Sequence, residues 1–148
     1  MSLKDQLTDD MKSAMKAHEK LKLSVIRMVR GAVRQAEIDG KKELGDDDVI
    51  AVISKEVKSR RESIEEFKKG NRDDLVKQTE EEISYLLKYL PEQLSEDKVK
   101  ELVADAVAKT GASTPKDMGK VMGMLMPQVK GRADGKMVNQ LVREALNK

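Results

Sequence analysis

Cysteine and tryptophan are absent from this chain of 148 residues, and its aromatic set is only Phe67, Tyr85 and Tyr89. Without cysteine there is no disulfide framework, no thiolate metal ligand and no cysteine nucleophile. With so few aromatics, any core must be thin, aliphatic and methionine-filled, which argues against a large sheet. Long apolar runs are missing as well, so no stretch is suited to span a membrane. The N-terminus, MSLKDQLTDDMKSAMK, is charged throughout and lacks the apolar centre of a secretory signal. On these grounds the protein is expected in the cytoplasm.

What remains is helix-forming sequence. Hydrophobic residues make up 39% and charged residues 38%, the latter well above the usual quarter. An all-α protein is the expected class, and the length suits one ordinary domain or two small ones. The net charge is +2, and its distribution is uneven. From Lys109 onward eight basic residues face three acids, a net of +5, so residues 1–108 carry −3. That asymmetry points to an acidic partner for the C-terminal end.

Ser2 and Asp5 read as a helix start, followed by Leu3, Leu7, Met11, Ala14 and Met15 at helical spacing, with His18 and Glu19 near the end of this helix. A second helix is expected from about Leu21 to Ile38, stopped by Asp39-Gly40, where glycine can take the left-handed conformation cheaply. The triple acid Asp46-Asp47-Asp48 suits a third helix start. Its stripe is Ile50, Ile53, Val57, Ile64 and Phe67, broken at Arg60-Arg61 and ended by Gly70-Asn71. A fourth helix carries Leu75, Thr79, Ile83, Leu86, Leu87 and Leu90. The short Gly-Asn turn between two long stripes predicts an antiparallel hairpin over 46–90. Pro91 disfavours helix in the residue before it. A boundary is therefore expected between an N-terminal four-helix unit over 1–90 and a three-helix unit over 95–148.

In the second unit Ser95 caps a helix with Val99, Leu102, Val103, Ala106 and Val107 inward, stopped at Gly111. Thr114-Pro115-Lys116-Asp117 is a strong helix start, with Thr at the cap, Pro at the first position and an acid at the third. Met118, Val121, Met122 and Leu125 share one face, while Lys116, Lys120 and Gly123 fall on the other. Met118 and Met122 read as core. Met124 and Met126 lie off that stripe and are candidates for contact with the other unit. Pro127 is expected to end or kink this helix near Met126. After the glycine-bounded basic link Lys130-Gly131-Arg132-Ala133-Asp134-Gly135-Lys136, Asp134 can cap a last helix. Val138, Leu141, Val142 and Ala145 then point inward, and Lys136, Gln140 and Arg143 outward.

Three stretches carry a family resemblance: MGKVMGMLMPQVKGRADGKMVNQLVREAL at the end, YLPEQLSE at 89–96, and MKSAMKAHEKLKLSVIRMVRGAV near the start. Over essentially its full length the chain resembles the GatB/YqeY family, and closely its stand-alone YqeY-like proteins. The run KGRADGKxVN is the most specific part. The resemblance implies a C-terminal module similar to the tail domain of the GatB component of the glutamyl-tRNA(Gln)/aspartyl-tRNA(Asn) amidotransferase. A similar helical unit is appended to some glutaminyl-tRNA synthetases. In those settings it is a tRNA-proximal accessory, with amide transfer and ATP-dependent activation housed in other domains.

Lys116, Lys120, Lys130, Arg132, Lys136 and Arg143 are accordingly the candidate RNA-binding residues. Lysine and arginine gain affinity by releasing condensed counterions, and a glycine-bounded loop lets the backbone approach a ligand. The same residues also read as an ordinary solvated basic face, and Asp134 at a helix start works against a simple anion cradle. With no aromatic in the C-terminal module, RNA contact is expected to backbone and shape, as at a tRNA elbow, and not to bases. No catalytic residue, metal site or cofactor is expected. His18 is a lone histidine on a charged helix end, and the acids at 46–48 and 80–82 diverge around their helices. The leading expectation is a non-catalytic accessory that binds tRNA or a tRNA enzyme. The rival is an adaptor that docks on a synthetase or amidotransferase through the 46–90 hairpin without touching RNA. An enzymatic reading, as a carbon–nitrogen ligase with glutamine as amido donor, finds no residues to carry it.

Overall fold

The computed structural model of the protein describes residues 1–147 and is all-α. Among the described residues there are seven α-helices and no strand. They fall into two compact units, Met1–Leu90 and Pro91–Lys148, each with its own hydrophobic core.

The first unit holds α1 (Leu3–Lys16), α2 (Lys20–Gly40), α3 (Asp46–Lys69) and α4 (Asp73–Leu87). The Ser2 hydroxyl accepts from the Asp5 amide at 3.1 Å, and Asp46 at the head of α3 accepts from the Leu3 amide at 3.0 Å. The starts of α1 and α3 are thereby tied together. Helix α2 packs against each of the other three, and α3 and α4 form the antiparallel hairpin. Leu7, Ile26, Ile53 and Leu86 are fully buried where these helices meet.

Several local expectations shift. His18 and Glu19 lie beyond α1, His18 in the left-handed region at φ 58° and Glu19 capping α2. Gly40 stays helical, and Lys41 takes the left-handed position at φ 52°. The stripe of α3 runs Val49, Ile53, Val57, Arg60 and Ile64, so Arg60 continues it instead of breaking it. The Arg60 guanidinium sits 2.8 Å from Glu56 and 3.9 Å from Glu82 on α4, and it also donates to the Met28 sulfur at 3.1 Å. A buried charge is tolerated because it is paired and hydrogen-bonded.

The second unit holds α5 (Glu96–Thr110), α6 (Met118–Val129) and α7 (Gly135–Leu146) around Val99, Val103, Val121, Leu125, Val138 and Val142. Gly111 closes α5 in the left-handed region at φ 69°. Pro115–Asp117 forms a single 3-10 turn ahead of α6, packed on both α6 and α7. Pro127 does not end α6, which runs on to Val129. The amide hydrogen bond that proline forfeits would go to the Gly123 carbonyl, in an exposed stretch where water can serve instead. Met118 and Met122 are half-buried against the core, whereas Met124 and Met126 are exposed.

Candidate nucleic-acid interface

The basic link between α6 and α7 is a folded corner. Gly131 adopts φ 74°, a left-handed conformation suited to glycine, and this turns the chain back on itself. Asp134 caps α7 by accepting from the Lys136 amide at 3.2 Å. Three long-range bonds then fasten the corner to residues 92–94. The Leu94 amide donates to the Arg132 carbonyl at 2.7 Å, and the Gln93 side-chain amide donates to the Gly131 carbonyl at 2.8 Å. In the opposite sense, Arg132 Nε donates to the Glu92 carbonyl at 3.2 Å. The PEQL segment and the KGRADG link, about forty residues apart, are thus one structural piece. Each supplies partners for backbone groups that the other leaves open.

This arrangement divides the six candidate residues into three groups. Lys130, Lys136 and Arg143 are exposed, and among the described residues none is ion-paired. Lys136 and Arg143 lie seven residues apart on one face of α7, about 10 Å along the axis, with exposed Gln140 between them. Glu144, the neighbouring acid, accepts from Gln140 at 3.2 Å. Lys116, in the 3-10 turn ahead of α6, and Lys120, in the first turn of α6, form a second group. Lys120 lies ten residues, or about 15 Å of helix, from Lys130, whereas the turn that carries Lys116 packs on α7 as well as on α6. Lys120 also stands 4.0 Å from Asp117. The Ser113 amide, then the Thr114 amide, hold the Asp117 carboxyl below its ordinary range, so it keeps its charge.

Arg132 forms the third group alone. It is half-buried, and besides Glu92 it donates from Nη1 to the Gln128 carbonyl at 3.4 Å. Its guanidinium braces the corner and is correspondingly less available to a ligand. Counting charges along the sequence missed this, because nothing local marks which arginine of a basic loop will find carbonyls.

A different cationic feature was also missed. From Lys20 to Gln35 the chain has five basic residues and no acid. That run was the available signal, hidden inside a half whose sum is −3. Its arginines Arg27, Arg30 and Arg34 line a groove in the first unit. Elsewhere His18 is exposed, and no cluster of three or more metal-capable side chains converges among the described residues.

The described residues thus form two helical units, each with exposed basic side chains. The chain belongs to the YqeY-like protein family, whose model matches residues 4–146. Among curated proteins it is similar to the fungal proteins named "Altered inheritance of mitochondria protein 41, mitochondrial". The match to that of Lachancea thermotolerans is 38% identical over 81 residues, 54% of this chain and 43% of the relative. For Kluyveromyces lactis it is 38% identical, covering 54% and 44%, and for Vanderwaltozyma polyspora 33%, covering 54% and 44%. The matched region spans less than half the length of these relatives.

Those names overturn the expectation of a cytoplasmic protein, since the relatives are mitochondrial by name. The inference failed because it rested on a missing secretory signal and missing apolar spans. Mitochondrial addresses are amphipathic and basic, and neither test detects them. No helix among the described residues is long and apolar enough to cross a membrane.

Proposed function

We propose that the protein is a non-catalytic accessory module that binds tRNA, through backbone and shape, on the outer face of the α6–α7 corner. The observation that carries this reading is the set Lys130, Lys136 and Arg143, exposed and unpaired among the described residues: Lys130 and Lys136 flank a corner braced from the 92–94 segment, and Arg143 continues their charge two turns along α7. Lysine and arginine on a rigid scaffold gain affinity for a phosphate backbone by counterion release, without base contacts. The resemblance of this module to the tail domain of the amidotransferase GatB component supports tRNA as the nucleic acid. Lys116 and Lys120 would flank the contact from the far end of α6, and Arg132 would hold the corner in shape.

Titration of the full chain with bulk tRNA at several salt concentrations tests this, alongside a Lys130→Ala/Lys136→Ala/Arg143→Ala variant. Three phosphate contacts give a log–log salt slope of roughly −2 to −3, largely abolished in the variant. A folded protein that fails to bind at low salt, or a variant that binds unchanged, would refute the proposal. In the first case the adaptor reading takes over. A synthetase or amidotransferase partner would then respond to substitutions on the 46–90 hairpin and be indifferent to the corner.

A further inference from the structure

The run of basic residues on α2 forms one wall of a groove of about 390 Å³ between α1 and α2. That size falls within the range of small-molecule sites. Arg27, Arg30 and Arg34 recur at spacings of three and four, so they share a helix face over about 10 Å. Gly31 sits among them, and a Cβ built there would meet nothing within 4 Å, which leaves the helix backbone open to a ligand. Buried Leu7 and Val33 add apolar floor.

The charge of this groove is unbalanced. Among the described residues no carboxylate pairs with any of the three arginines. Arg30 Nη1 donates to the Met11 sulfur at 3.0 Å, a weak acceptor that orients the guanidinium without neutralising it. Glu37 is the one acid in the lining, and it is already engaged. Lys4 Nζ lies 2.6 Å from its carboxylate, and the Leu44 amide donates to it at 2.9 Å. Lys4 and Glu37 cancel, and three guanidiniums remain around a partly enclosed space. Like charges gathered in this way repel one another until an anion of matching charge joins them. A single carboxylate offers one charge and two oxygens. A terminal phosphate ester offers up to two charges and three oxygens, and a phosphodiester strand repeats one charge at every nucleotide; the planar guanidinium fork fits the oxygens of either.

We infer that the α1–α2 groove is a phosphate-ester site of nucleotide size, held by Arg27, Arg30 and Arg34. The phosphate can come from a free nucleoside phosphate or from an RNA strand. The site stands apart from the α6–α7 corner in residues and in unit, so it neither supports nor depends on the function proposed above.

The test is calorimetric titration of the full chain at low salt with a nucleoside triphosphate, a short oligouridylate and a polyglutamate peptide. Two groove variants probe it differently: Arg30→Gln/Arg34→Gln removes charge, and Gly31→Leu fills the open floor while keeping it. Leucine is the better helix former, and its Cβ meets open space, so the second variant retains the fold. Lys12→Gln/Lys20→Gln removes equal charge from exposed positions outside the groove. The triphosphate should bind the parent and lose about tenfold or more in affinity in each groove variant. The control should change by less than about twofold.

Competition between triphosphate and oligouridylate would show that the ester itself is recognised. Groove-dependent binding of the oligouridylate alone would make the strand the source. Failure of both phosphate probes to bind would overturn the inference, as would a control variant as impaired as the groove variants. Polyglutamate binding as tight as either phosphate probe would also overturn it, in favour of an acidic peptide. Loss of tRNA binding on substituting Lys130, Lys136 and Arg143, with triphosphate binding intact, would separate the two sites.

Discussion

Replacing Arg132 by alanine removes two side-chain bonds to backbone carbonyls, at 3.2 Å to Glu92 and 3.4 Å to Gln128. Hydrogen bonds from charged donors are worth about 1.5–3 kcal/mol each at best. These two are longer than the usual N–H···O distance and half-exposed, so about 1 kcal/mol each is the better value. The second unit should therefore lose about 2 kcal/mol. For a unit of this size, that is a fall of roughly 8–16 °C in its melting temperature. The Leu94 amide, bonded to the Arg132 carbonyl at 2.7 Å, should exchange faster with deuterium as the corner loosens. Lys130→Ala serves as the comparison, since Lys130 is exposed and unpaired and its loss should stay within about 0.5 kcal/mol. Thermal denaturation and amide exchange on both variants decide the matter. If Arg132→Ala melts with the parent and Leu94 keeps its protection, while tRNA affinity falls as it does for Lys130→Ala, then Arg132 is a ligand contact and not a brace.

Two further substitutions probe the fold. Arg60→Ala leaves Glu56 and Glu82 unpaired beside a core position, and should cost about 2–4 kcal/mol in urea denaturation. Arg60→Met removes the same charge but refills the space, so a loss close to that of Arg60→Ala is expected, and a Met variant that is nearly neutral would count against pairing as the cause. Asp117 carries an acid dependence whose sign follows from its lowered pKa. The stability it contributes is present above its ordinary value of 3.8 and is lost as pH falls through the lower folded value. Asp117→Asn should flatten the acid limb of unfolding in the second unit, and an unchanged acid profile followed by amide NMR would rule out this role.

Most of the fold is legible in the sequence, because helical periodicity is local. Val99, Val103 and Ala106, or Val138, Leu141 and Val142, announce their buried faces by spacing alone, and Ser2, Ser95 and Asp134 each cap the helix they precede. The all-α class follows from composition and those stripes, and the family from KGRADGKxVN and its companion stretches. Tertiary packing decided what the charged residues do. Arg60 reads as a break in a stripe until α4 brings Glu82 to it across the hairpin. Arg132 reads as one cation among six until residues 92–94 present a carbonyl to it. Arg27, Arg30 and Arg34 vanish into an acidic sum until α1 closes a groove over their face of α2. An apolar side chain needs only to know which face is inside, and the helix repeat tells it. A charged side chain takes its role from partners dozens of residues away, and only the packed chain supplies them.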